Sequence, residues 1–108
     1  MEFDKEFFIP ITHQDGFRVR VKTRGGDRHT YVIQVECQFA EEEGWLAVIR
    51  ADDFHDLPHL DILYPSGEKQ KVWLRDLGDD KMNMKEARII LIERWQQERS
   101  RYEQQLNK

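Results

Sequence analysis

Residues 17 to 24 alternate without a break. Phe17, Val19, Val21 and Thr23 share one side, and Arg18, Arg20, Lys22 and Arg24 share the other. A period of two marks a half-buried strand. Gly25-Gly26-Asp27 predicts a hairpin turn, and the return strand runs over residues 28 to 39. There Tyr31, Ile33, Val35, Cys37 and Phe39 share a face. Ala40 to Gly44 reads as a turn. Trp45 to Asp52 is apolar on both faces until Arg50, as in a central strand. Two more short strands follow, His59 to Tyr64 and Lys69 to Leu74, separated by a turn at Pro65-Ser66-Gly67. Ahead of them all, Phe7-Phe8-Ile9-Pro10-Ile11 is apolar but holds a proline, so it reads as an edge strand or a packed arm. His13 to Gly16 reads as a turn.

After a polar loop over residues 76 to 81 the period changes. Met84, Ala87, Leu91, Trp95, Tyr102 and Leu106 recur at helical spacing, and Ile90 and Ile92 widen the stripe. Asn83 with Glu86 three residues on predicts the N-cap. A helix over 84–106 is about 34 Å long at 1.5 Å per residue. Five strands span only about 24 Å. The helix is therefore expected to overhang, offering Trp95, Tyr102 and Leu106 to a partner or to a second copy in a homodimer.

Short turns between neighbouring strands predict an antiparallel meander. The expected fold is α+β: a five-stranded antiparallel sheet over 17–74 with one long C-terminal helix on one face and an arm over 1–16. The 108 residues make a single domain.

Composition narrows the class. No apolar run approaches the roughly 20 residues that span a membrane, and the mixed, acidic start is not a signal peptide. A cytoplasmic location follows as the expectation. A net charge of −4 counts against non-specific nucleic-acid binding by the whole surface. Cys37 is the single cysteine, so a disulfide or a cysteine-rich zinc site is excluded within the chain. Gly25-Gly26 is not followed by Lys-Ser or Lys-Thr, so it is no phosphate loop. No resident metal or cofactor is expected.

The candidate chemistry sits in Asp52-Asp53-Phe54-His55-Asp56-Leu57-Pro58-His59-Leu60-Asp61, two histidines and four aspartates between two strands. Alternation puts Asp52, His59 and Asp61 on the same face as Arg18, Arg20, Lys22, Arg24, Arg50 and Trp73, away from the helix. Three readings stay open. His59 serves as an acid–base residue, oriented by Asp61 or Asp52 and assisted by His55. The histidines and carboxylates hold a divalent metal, as in a metal-dependent hydrolase. The third reading is a polar loop end whose acids pair with arginines. The basic stripe likewise reads as a phosphate-holding surface for RNA, with Trp73 stacking a base. It equally reads as a solvated face balanced by Glu36 and other acids.

The run Val48-Ile49-Arg50-Ala51-Asp52-Asp53, then Phe54-His55, Pro58-His59-Leu60-Asp61 and Pro65-Ser66-Gly67 ahead of a C-terminal helix, resembles small prokaryotic families that include the TumE-like toxins of toxin–antitoxin pairs. Asp61 stands where those toxins often carry a histidine, and Asp53 stands in place of an asparagine. The resemblance implies a small protein encoded beside a protein partner, with His55, His59 and Asp52 as the matching positions. The leading expectation is a toxin-like protein acting on RNA or translation. A non-catalytic binding module is the alternative.

Overall fold

The computed structural model describes residues 3–26, 28–40, 43–54 and 57–107. Strands β1 (Lys5–Thr12), β2 (Asp15–Thr23), β3 (His29–Cys37), β4 (Leu46–Asp52), β5 (His59–Leu63) and β6 (Lys69–Trp73) precede one helix, α1 (Asp80–Leu106). The sheet has six strands in sequence order, with every neighbouring pair antiparallel. The meander and its single helix are as the alternation predicts. The sixth strand is the segment read as an arm. Pro10 fits there because β1 is an edge, where one row of N–H groups needs no partner. Among the described residues no helix is long and apolar enough to cross a membrane.

β1 turns into β2 through two residues. Thr12 donates from its hydroxyl to Asp15 Oδ2 at 2.7 Å, and Gln14 N–H donates back to Thr12 Oγ1 at 3.0 Å. Gly16 lies beneath the Phe8 ring, and a Cβ there would overlap that ring.

Cross-strand register sorts the side chains. Val19 pairs with Ile33, Ile33 with Ala51, Ala51 with Leu60 and Leu60 with Val72, and this row faces α1. A bulge at Val48 interrupts the β3–β4 ladder, so that Ile49 opposes Val35 while Leu46 opposes Cys37. The extra residue restores apolar side chains to the core where strict alternation would turn them outward. Helix α1 packs on β3 and β4, and Ala87 and Leu91 are fully buried against them.

The helix starts earlier than its period suggests. Asp79 is the N-cap, with its carboxylate accepting from Lys81 N–H at 2.9 Å and Met82 N–H at 3.1 Å. Asn83 lies inside the first turn and is buried. Its Oδ1 accepts from Leu77 N–H at 2.8 Å and its Nδ2 donates to Asp76 Oδ1 at 3.0 Å. Both are capping residue types; the tie is decided by Leu77, whose half-buried amide claims the asparagine.

The far half of α1 does not overhang freely. Tyr102 is buried and stacks on Phe39 with ring centroids 5.5 Å apart. Arg99 Nε donates to Asp15 Oδ1 at 2.7 Å. Trp95 packs at the core margin, and Leu106 alone of the three expected interface residues is exposed.

Candidate functional site

Three places gather the side chains that could act. The first is the β4–β5 end. Asp52 is the register partner of His59, and Asp61 follows His59 by two residues on the same strand, so all three share the face opposite α1. His59 Nε2 lies 3.7 Å from Asp52 Oδ1 and 3.6 Å from Asp61 Oδ2. Its Nδ1 lies 2.8 Å from the Leu57 carbonyl oxygen. A carbonyl only accepts, so Nδ1 carries a hydrogen and Nε2 is the atom turned to the two carboxylates. Asp52 Oδ1 also accepts from Phe54 N–H at 2.8 Å.

The face is as the alternation predicts, but it is not open here. His59 is 4% exposed, Asp61 2% and Asp52 9%. β5 is an interior strand, and Trp73, the register partner of His59 on β6, stands edge-on to the imidazole at 5.9 Å. Strand parity assigns a residue to a face; it does not say how deeply neighbouring side chains bury it. His55 lies outside the described residues.

The basic stripe meets acids. Arg18 faces Glu36, with Nε and Nη2 each 3.4 Å from a carboxylate oxygen. Arg20 Nε donates to Glu6 Oε1 at 2.7 Å, and Arg50 Nε donates to Gln34 Oε1 at 3.0 Å. The Gln34 amide donates in turn to Glu36. Arg18, Glu36, Gln34 and Arg50 thus form one chain across three strands, with Gln34 and Glu36 buried. Such cross-strand pairs each contribute about 0.2–1 kcal/mol. Arg24 is exposed at the end of the stripe. Trp73 is 57% exposed, with the Lys71 ammonium 4.9 Å over its ring.

The second place is a polar hollow of about 230 Å³ where the β4–β5 loop meets the start of α1, lined by Arg24, Arg28, Asp53, Asp76, Asp80 and Asn83 among others. Asp53 accepts from Tyr31 N–H at 2.9 Å. Burial pushes its carboxyl up to about 6; the Asp80 and Asp52 carboxylates add to this, and the Tyr31 bond opposes it. The Tyr31 phenol is raised as well, first by burial and then by Asp53. No sequence motif marks this hollow, because its acids come from segments far apart in the chain.

The third place is apolar. α1 covers the middle of the sheet and leaves much of the helix side of β1 exposed. Phe7 and Ile9 on β1 are 46% and 42% exposed, and Ile92 on α1 is 56% exposed. Between them lie two hollows of about 280 and 140 Å³, floored by Phe17, Val19 and Val21 and walled by Met84, Arg88 and Ile92. A third, over Met84, Ile89 and Ile92, continues along the outer side of the helix. Lys5, Lys81, Lys85 and Arg88 fringe this groove. Their side chains make no hydrogen bond or ion pair to the described residues. Sequence periodicity pointed instead to the helix's far half, because an edge strand leaves no mark in the helix pattern.

Residues 2–108 match the family described as Domain of unknown function (DUF7718), and the chain belongs to that family. No curated protein and no solved structure matches it.

Proposed function

Starting from membership of a family whose description assigns no activity, we propose that this protein is a non-catalytic binding module. It holds an acidic, amphipathic helix of a partner protein in the groove between β1–β2 and the first half of α1. The carrying observation is the pairing of exposed apolar side chains with a basic fringe: Phe7, Ile9 and Ile92 beside Lys5, Lys81, Lys85 and Arg88. The chain as a whole carries −4, so this fringe is a local reversal of sign. Glu86 and Glu93 lie about 100–160° around α1 from Arg88 and Ile92, on the side of Ile89. Apolar anchors recognise an amphipathic helix, and fringe charges select its polar face. A second copy of this chain fits less well, because it would set basic fringe against basic fringe. The toxin–antitoxin resemblance also anticipates a protein partner.

The test uses a synthetic helical peptide with a leucine stripe flanked by glutamates, and a twin with lysines in their place, titrated by fluorescence anisotropy. The glutamate peptide binds at micromolar concentration, the lysine twin at least about 10-fold more weakly, and Arg88→Glu narrows the gap by at least about threefold. Equal binding of the two peptides, or none by either, overturns the proposal.

A second reading keeps the polar face as an RNA-contacting surface, with His59 as its acid–base residue beside Asp52 and Asp61. Trp73 favours it, being exposed on that face with a lysine over its ring. The burial of His59 and the ion pairs of Arg18 and Arg20 place it second. Titration with a single-stranded RNA oligomer decides it: the reading requires saturable binding that weakens at least about 5-fold in Trp73→Ala.

A further inference from the structure

Asp52 and Asp61 turn carboxylate oxygens toward the same imidazole nitrogen from two strands. These groups are almost fully buried, and two buried carboxylates facing one point need a positive charge there. The nearest arginine does not supply it. Arg50 is the register partner of Asp61, yet it is engaged with Gln34 and makes no ion pair with Asp61. The other Asp61 oxygen, Oδ1, is buried with no hydrogen-bond partner among the described residues.

We infer that Asp52, His59 and Asp61 form a binding site for a divalent cation of the zinc or manganese class. One ligand atom from each lies within 4.8 Å of the others. The gaps of 3.6 and 3.7 Å from His59 Nε2 are close to what an ion demands: bonds of about 2.0–2.2 Å in tetrahedral geometry put ligands about 3.3–3.6 Å apart. The second shell is in place as well. A metal-bound histidine characteristically donates its other N–H to a carbonyl or carboxylate, and Nδ1 faces the Leu57 carbonyl at 2.8 Å. Nitrogen with two carboxylates suits zinc or manganese, whereas calcium takes six to eight oxygens. The deep burial closes the ion off from a substrate, and ligands on two strands make it a clamp joining β4 to β5. It stands independently of the groove.

The test is titration of the full-length, chelator-treated protein with Zn²⁺ alone and with Mn²⁺ alone, read by calorimetry and by thermal unfolding. At least one of the ions binds at about one equivalent per chain. At 100-fold excess over its Kd it raises Tm by about 10–20 °C, and chelator reverses the shift. Asp61→Asn weakens binding at least about 10-fold, yet without metal it melts no lower than the wild type, because one of two facing carboxylates is gone. His59→Gln, checked by circular dichroism, gives the same loss of binding and carries the comparison if Asp61→Asn does not fold. If a proton on His59 fills the gap instead, neither ion binds saturably, and that result overturns the inference. Equal binding by the wild type and a folded variant also overturns it, since the ion then sits elsewhere.

Discussion

Arg101 reaches from the last turns of α1 to the carbonyl of Val48, with Nη2 donating to that oxygen at 3.0 Å. Val48 is the extra residue of the β4 bulge, so the normal ladder leaves its carbonyl without a cross-strand partner. The helix supplies what the sheet cannot. Arg101 also donates to Glu98 at 2.9 Å and to Gln105 at 2.8 Å, and its guanidinium lies 5.1 Å from the Tyr64 ring centre. One side chain thus anchors the polar half of α1 to the sheet.

Arg101→Met keeps the stem and removes the donors. Its expected cost is about 2–3 kcal/mol, because a backbone carbonyl and the buried Glu98 each lose a partner. Arg94→Met, at the partly exposed side of the same Glu98, should cost under about 1 kcal/mol. Urea unfolding of both variants checks the order. Equal losses would show that Glu98, and not the bulge, is what Arg101 serves.

The beginning of α1 makes a second comparison. Asp79→Ala removes the N-cap and should cost about 1 kcal/mol. Asn83→Ala leaves the Leu77 amide and Asp76 without their partner and should cost about 1–3 kcal/mol. If Asn83 were the cap and Asp79 a loop acid, Asp79→Ala would be nearly silent. Thermal unfolding separates the two cases.

Acid should release β1 before the rest of the sheet. Asp4 accepts from Thr23 N–H at 2.6 Å, and that backbone bond holds its carboxyl below the ordinary value. The side-chain bond from Arg20 does the same for Glu6. A carboxyl depressed in the folded state stabilises it above the ordinary carboxylate range, near 4, and that contribution is lost as pH falls through the lower folded value. Amide exchange in β1 should therefore accelerate below about pH 4 while β3 and β4 stay protected. Glu6→Gln should remove part of the acid dependence. Uniform exchange across all six strands would contradict it.

Much of this molecule is legible in one dimension. The alternation at residues 17–24, the turn residues and the helical period determine most strands, the meander and the face of side chains where no bulge intervenes, because a pleated strand has a period of two and a helix of 3.6. By the same parity Asp52, His59 and Asp61 share the side away from α1. What only the tertiary structure decides is depth and company. Pro10 is compatible with a strand because β1 is an edge. Val48 turns inward because a bulge shifts the register. Asn83 loses the capping role because Leu77 folds back onto it. Arg18 and Arg20 are engaged because Glu36 and Glu6 lie on neighbouring strands. His59 is enclosed because Trp73 pairs beside it. Periodicity encodes direction from the backbone, one residue at a time. Burial and pairing depend on residues distant in sequence, and only packing brings those together.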